Sequence, residues 1–417
     1  MAGQEVRQFS GAEPRFFYGY VIVVFAFISM AMWGGLLQVY GVFFKPMSTD
    51  LGWTRAITSG AYSWMYVLSG FLAIIGGRLS DRFGPRLLII ICGAFMGIGY
   101  ILMSQLNAVW QLYLFYGVIV GIGVAGTAHP PIMSTVTRWF VRRRALVTGI
   151  VSASMGIGTM IIVPLVTRFI SAYGWRNSFI IVGIMALVVF ILAGQFLRRD
   201  PSQMRQLPYG ADEAEVRSSV SEAQGFSLRE AIRTAQFWMV GGIWFCSIFS
   251  MTIIGVHIIP HATDLGISPA NAANILAIRA GMTILGNIAV GAAADRIGTR
   301  PVLIISTLLR TAGLFWLLIA RELWMFYLFA VIVGFFAAGS GGLMYPILAE
   351  LFGLRSLGVI VGSTQYGGVV GGAISSALGG IIFDVTGSYQ LGFLICAAFS
   401  ALGLVLAWLL RPPSSKK

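Results

Sequence analysis

Charge is what this chain has least of. Charged residues make up only 10% of its 417 positions, and 15 acidic side chains stand against 28 lysines and arginines. A soluble domain carries about 25%, so an ordinary water-soluble fold is excluded. Hydrophobic residues reach 57% and the mean hydropathy is +0.85, which marks a polytopic membrane protein. There are only three histidines and three cysteines. Cys92, Cys246 and Cys396 all lie inside apolar runs and read as small packing residues, not as a disulfide framework or thiolate metal site. No paired carboxylates, metal-ligand cluster or phosphate-cradling loop occurs, so neither an enzyme nor a cofactor is expected. The net charge of +13 follows from topology and is not a nucleic-acid footprint. The first fifteen residues are polar and no small-residue cleavage site follows, so the first apolar segment reads as a retained helix.

A spanning helix needs about 20 apolar residues. Twelve segments qualify, near 17–44, 56–77, 86–106, 109–137, 144–168, 174–197, 236–261, 268–293, 300–320, 322–349, 356–382 and 388–410. The loops between them alternate in basic content. One side collects, among others, Arg7, Arg15, Arg78, Arg142, Arg143, Arg198, Arg205, Arg300 and Lys417, whereas the other holds only Lys45, Arg55, Arg168, Arg176 and Arg321. The rich side is expected to be cytoplasmic, with both termini inside. The expected organisation is a tail at 1–16, a six-helix half at 17–198, a cytoplasmic linker at 199–233, a second six-helix half at 234–411 and a tail at 412–417. The fold class is all-α membrane protein. An amphipathic surface helix is expected near Phe226 to Ala235.

The halves repeat each other. Gly77-Arg78-Leu79-Ser80-Asp81-Arg82-Phe83-Gly84-Pro85-Arg86 recurs as Gly291-Ala292-Ala293-Ala294-Asp295-Arg296-Ile297-Gly298-Thr299-Arg300, each copy following the second helix of its half. Parallel repeats place a pathway at their interface, near the membrane midplane. The first copy in full, and the second in degenerate form, resemble the loop signature of the major facilitator superfamily, and with twelve spans the likeness covers essentially the whole chain. It implies alternating access and a gating latch in which an Asp caps a neighbouring helix terminus and pairs with Arg across the bundle. Carried over, that latch is Asp81, Arg82, Arg86, Asp295 and Arg296.

Two further stretches narrow the resemblance. Trp139-Phe140-Val141-Arg142-Arg143-Arg144-Ala145-Leu146-Val147-Thr148-Gly149, leading into the fifth span, is similar to a segment of the monocarboxylate transporter family. The end of the seventh span, His257 to Ser268, and a central arginine in the eighth resemble bacterial members, including oxalate–formate exchangers. Three positions depart from the animal carriers. Ile275 stands where they place an Asp four residues before the arginine, Gln38 stands where they place a Lys, and the acidic start of their first signature is missing around Phe17-Tyr18-Gly19-Tyr20. Their Lys and Asp proton relay is therefore not carried over.

Arg279 is that central arginine, in the apolar stretch from Ile267 to Ala294. A guanidinium at mid-bilayer depth costs about 2.5–3.5 kcal/mol on insertion scales and cannot deprotonate. No acidic residue falls at mid-depth in any span, so its expected partner is an exogenous carboxylate, matched bidentately. Tyr345, Gln38, Tyr366, Gln365 and Tyr40 sit at pore depth and are candidates for the rest of the substrate; interhelical hydrogen bonding is the alternative for each. Arg310 reads as a structural arginine of a peripheral helix. With acids missing, His257, His261 and His129 are the proton-coupling candidates, His257 ranked above His261, and packing slightly favoured for His129. The expected function is secondary active transport of a small organic anion of lactate or pyruvate type by proton symport, the expected partners being that anion, a proton and the lipid bilayer, in a functional monomer of the inner (plasma) membrane. Anion exchange comes second, multidrug efflux third, and a non-transporting receptor or assembly factor last.

Overall fold

The computed structural model describes residues 16–53, 55–210, 225–386 and 388–410. The expected tails, apart from Phe16, and the 211–224 stretch of the linker lie outside the described residues.

Among the described residues, twelve spanning helices form two six-helix halves. The first half comprises α1 (Gly19–Leu51), α2 (Arg55–Phe83), α3 (Pro85–Met103), α4 (Val109–Trp139), α5 (144–173) and α6 (175–196). The second comprises α7 (Ala235–Asp264), α8 (Pro269–Ile297), α9 (Thr299–Ile319), α10 (Leu323–Gly341 continued by Met344–Phe352), α11 (Leu357–Thr386) and α12 (Gln390–Leu409). Ten described helices are long and apolar enough to cross a membrane. One of these runs from Arg144 to Phe196 and is two spans joined at Gly174, whose φ of 75° and ψ of 165° are not helical. The shorter apolar helix Leu323–Ala337 completes the twelve. The first helix continues past the expected end at 44, through Pro46, to Leu51.

Local sequence explains the boundaries. Gly84 and Gly298, the glycines shared by the two repeated motifs, turn the chain between α2 and α3 and between α8 and α9 with φ of 85° and 96°. An L side chain rarely adopts that region, so the repeat preserves a backbone requirement. Thr234 and Ser268 cap α7 and α8 through their hydroxyls, with Pro269 at the first position of α8, the preferred chemistry at a helix start.

The outer helices show apolar side chains to their surroundings. Ile91, Phe95 and Ile98 of α3, Ile184 and Val188 of α6, Ile305 and Leu308 of α9, and Leu402 and Val405 of α12 are all exposed. A face of that kind on four helices is stable only in hydrocarbon, so this is a multi-pass membrane protein. Inside, small residues bring backbones together. A Cβ on Gly158 of α5 would run into the Ala31 carbonyl of α1, the close contact that membrane helices use in place of a hydrophobic driving force.

The linker binds to the ends of the bundle on both sides of its undescribed stretch. Tyr209 pairs with the loop after α4, donating from N to the Trp139 carbonyl at 2.9 Å. Phe226 donates to the Phe352 carbonyl at 2.9 Å, and their rings meet edge to face. The short helix Leu228–Ala231 follows, capped reciprocally by Ser227 and Glu230. Ala231 is fully buried and Phe226 packs on the protein, so the apolar residues of this segment face the bundle end; of Phe226, Leu228, Ala231 and Ile232, the four that fall close to one helix face, Ile232 alone is exposed.

Candidate functional site

Contacts between the halves cluster at the end that carries the linker. Asp81, at the end of α2, accepts from the Gly358 and Val359 amides at 3.2 and 3.0 Å, at the start of α11. Asp295, at the end of α8, accepts from the Ala145 and Leu146 amides at 2.9 and 2.7 Å, at the start of α5. Each carboxylate thus caps a helix of the other half, where unpaired N–H groups and the helix dipole favour negative charge. Arg138 ties the first cap together. It lies 3.4 Å from Asp81 and 3.5 Å from Asp200 and donates to the Leu354 carbonyl across the boundary. Near the second cap, Arg144 is in the field of Glu350 and Asp295, and Glu350 accepts from Thr299 at 2.7 Å.

The other arginines of the repeated motif sit elsewhere. Arg82 lies over Phe83, Arg86 bonds Gln195 of its own half, and Arg296 is exposed. The cations at the two caps are Arg138 and Arg144, neither of which the sequence pointed to as part of the latch. Their signal was position: Arg138 stands just before Trp139-Phe140 at the end of α4 and Arg144 opens α5, two helices after the repeated motif.

Behind this seal four aromatic rings cross the bundle. Trp33 of α1 meets His129 of α4 edge-on at 5.2 Å, His129 stacks on Tyr345 of α10 at 6.1 Å with planes 9° apart, and Tyr345 meets Trp244 of α7 at 6.3 Å. Both helices that supply the stacked pair are interrupted there: Ala128 is extended before His129-Pro130-Pro131, and α10 breaks between Gly341 and Met344. Tyr345 is 1% exposed and its hydroxyl has no hydrogen-bond partner; the Trp244 indole nitrogen is likewise buried without one.

Arg279 lies further from the linker. Its backbone packs on Gly334 of α10, and its Nη2 comes within 3.9 Å of where a Cβ on Gly255 of α7 would stand. From Gly255 to Trp244, and from Gly334 to Tyr345, is eleven residues in each helix, about 16 Å at 1.5 Å per residue. The arginine is partly exposed. Its Nε is buried without a hydrogen-bond partner, and no described carboxylate lies within 4.0 Å of its guanidinium. Gly41 of α1 and Gly281 of α8 face open space.

The remaining candidates divide. Gln365 and Tyr366 of α11 line a cavity of about 80 Å³ with Trp33, Leu37 and Tyr66. Gln38 is exposed, one turn from Gly34, which packs on Met155 of α5. Tyr40 is committed within its own half, donating to the Thr58 carbonyl at 2.6 Å and stacking on Tyr116 at 4.1 Å. His257 and His261 are buried in the second half, where their rings meet Tyr389, Phe393 and Phe326. His129 touches both halves. Arg310 is 1% exposed on α9, close enough to α7 to act on Cys246. Trp33 and Tyr66 were not singled out from the sequence, since an aromatic in an apolar run carries no sign of the cavity it walls.

Comparison with known proteins agrees with this architecture. The Major Facilitator Superfamily profile matches residues 19–258 and 242–417. Rat (Rattus norvegicus) monocarboxylate transporter 13 is 28% identical over 388 residues, covering 93% of this chain and 87% of the relative. The oxalate:formate antiporter of Oxalobacter formigenes is 25% identical over 409 residues, covering 95% and 92%. Among solved structures, the proton:xylose symporter XylE bound to 6-bromo-6-deoxy-D-glucose superposes with a TM-score of 0.74 at 16% identity, covering 94% of this chain and 96% of that one. FucP in the outward conformation gives 0.72 at 15%, covering 94% and 99%. The chain belongs to the Major Facilitator Superfamily of membrane transporters.

Proposed function

We propose that the chain is a secondary transporter of a small monocarboxylate of lactate or pyruvate type, moved by alternating access and driven by proton symport. The observation that carries this reading is Arg279: a fixed positive charge inside the bundle, its Nε buried and unpartnered, with no described carboxylate within reach. An incoming carboxylate would supply both the charge and the acceptors it lacks. Asp81 and Asp295 hold the linker end shut, and release of their caps opens it as the halves rock. The linker end is the cytoplasmic one, by the excess of arginine there, in an inner (plasma) membrane, and the single bundle suffices as a monomer.

Of the candidate substrate contacts, Gln365 and Tyr366 stand at the cavity wall, whereas Tyr345, with an unpartnered hydroxyl, lies about 16 Å nearer the linker end than Arg279 and would meet the cargo on its way through. Gln38 follows, and Tyr40, whose hydroxyl is occupied, comes last. His129 displaces His257 as the first proton-coupling candidate because it lies between the halves, where a change of charge acts on both. Exchange of carboxylates is the second reading, favoured by the likeness to an oxalate:formate antiporter. Uptake of labelled lactate and pyruvate into proteoliposomes decides between them. Symport predicts uptake that rises with an inward proton gradient and needs no internal anion. Exchange predicts uptake only into vesicles preloaded with a carboxylate. Absence of either flux would refute the proposal.

A further inference from the structure

We propose that Arg86 and Arg198 clamp the phosphate of an anionic phospholipid, in the leaflet at the linker end, where the seam between α3 and α6 reaches the membrane surface. This gives an occupation to one of the repeated-motif arginines that take no part in the caps, and it stands whichever cargo the bundle carries.

One glutamine brings the two guanidiniums together. Arg86, in the first turn of α3, donates from Nη2 to Gln195 Oε1. Arg198, just past the end of α6, donates from Nη1 to the Gln195 and Leu197 carbonyls at 2.7 and 3.3 Å. The helices lie this close because residue 194 is glycine: a Cβ there would stand 3.3 Å from the Arg86 carbonyl. Among the described residues no carboxylate lies within 4.0 Å of either guanidinium, whereas the neighbouring Arg199 is paired with Asp200 at 3.2 Å. A guanidinium has five N–H donors, so most of the set is left for an acceptor, and phosphate oxygens match its fork. Gly84 gives α3 no side-chain cap, so the helix start adds N–H groups and a positive dipole end at the same place.

Beneath the pair the surface is apolar. Leu87, Ile91, Phe95 and Ile98 form one exposed stripe along α3. Phe196, Leu192, Val188 and Ile184 form its counterpart on α6. The two helices touch along this length, Gly93 against Phe190 and Gly97 against Leu187, so the stripes flank one seam. From Leu87 to Ile98 is eleven residues, about 16 Å at 1.5 Å per residue, and half of a hydrocarbon core is about 15 Å. An acyl chain of one leaflet therefore has an apolar track of its own length below a phosphate held at the rim.

Orientation in the membrane requires basic residues on this side, but not two of them drawn onto one residue from different helices. The second half repeats the reach: Arg300, the counterpart of Arg86, donates to the Trp408 carbonyl at the end of α12 at 2.6 Å. Next to it, however, Glu350 accepts from Thr299, so the site without an acid beside it is that of the first half.

The test is native mass spectrometry of the purified protein in detergent micelles doped with dioleoylphosphatidylglycerol or dioleoylphosphatidylcholine. Wild type is expected to keep one phosphatidylglycerol and no phosphatidylcholine at matched concentration. Arg86→Gln and Arg198→Gln are each expected to weaken retention about tenfold or more, and either one suffices if the other does not fold. Arg142→Gln combined with Arg229→Gln removes two exposed cations from the same end, away from the seam, and should retain the lipid as wild type does. No retained phosphatidylglycerol in wild type, equal retention of the two lipids, equal loss in the Arg142 and Arg229 control, or undiminished retention in a folded seam variant would overturn the clamp. Displacement of the lipid by an equal concentration of inorganic phosphate would mark a free-anion site and overturn the lipid assignment.

Discussion

The carboxylate of Asp295 accepts a 2.7 Å hydrogen bond from the backbone amide of Leu146, across the boundary between the two halves. Asp81 makes the corresponding bond to Val359 at 3.0 Å. Capping charges at a helix N-terminus contribute about 0.3–1 kcal/mol, and up to about 2 when partly buried. Removing one by Asp81→Ala or Asp295→Ala is therefore expected to shift the balance toward a state open at the linker end by up to roughly thirtyfold. Thiol labelling of a cysteine placed in the aromatic crossing, at Trp244, reads this directly: labelling from the linker side should speed up in both variants.

Arg138 bridges two carboxylates and a carbonyl of the other half. Its replacement leaves Asp81 without its ion-pair partner and Leu354 without its donor, while Asp200 keeps Arg199 at 3.2 Å. Arg138→Gln is expected to cost more than Arg82→Gln, whose arginine lies over Phe83 at the surface. Thermal unfolding in detergent should separate them, with Arg82→Gln within about 0.5 kcal/mol of wild type.

The Tyr345 hydroxyl is buried and unpaired. Leaving such a group unsatisfied costs about 1–3 kcal/mol. Tyr345→Phe is therefore expected to unfold no more easily than wild type, and, with Arg279 about 16 Å away, to leave carboxylate affinity close to wild type. Isothermal titration alongside a melting curve checks both halves of that expectation.

His129 stacks between the halves with Trp33 and Tyr345 as its ring neighbours. Glutamine keeps a polar side chain there but carries no proton. His129→Gln is expected to abolish the acceleration of uptake by an inward proton gradient while leaving carboxylate counterflow, measured without a gradient, close to wild type. The same substitution at His261, buried among Phe326 and Phe393, should leave the gradient response in place.

Much of this architecture was legible because the bilayer imposes it. Twelve apolar segments, the repeated motif and the arginine-rich loops follow from length, duplication and charge, and the repeated glycines correspond to two turns of positive φ. The capping role of the two aspartates came from the family resemblance of the repeated motif. Their arginine partners were not legible: Arg138 and Arg144 are close to the caps only because α4 and α5 end beside them in space. The candidate site was visible at its one costly residue, Arg279. Its surroundings were hidden, since Trp33, Tyr66 and Trp244 look like any other aromatic in an apolar run. Tyr40 and Gln38, two residues apart, show how little pore depth fixes direction: one turns into its own half and the other is exposed.

The central claim is that Arg279 receives the carboxylate of the cargo, and transport by Arg279→Gln and Arg279→Lys proteoliposomes tests it most directly. Hydrogen bonds to charged groups contribute about 1.5–3 kcal/mol, so labelled lactate or pyruvate uptake should fall by about tenfold or more in Arg279→Gln. Arg279→Lys, which keeps the charge but loses the planar fork, should fall between that variant and wild type. Wild-type uptake by a correctly folded Arg279→Gln protein would contradict the account.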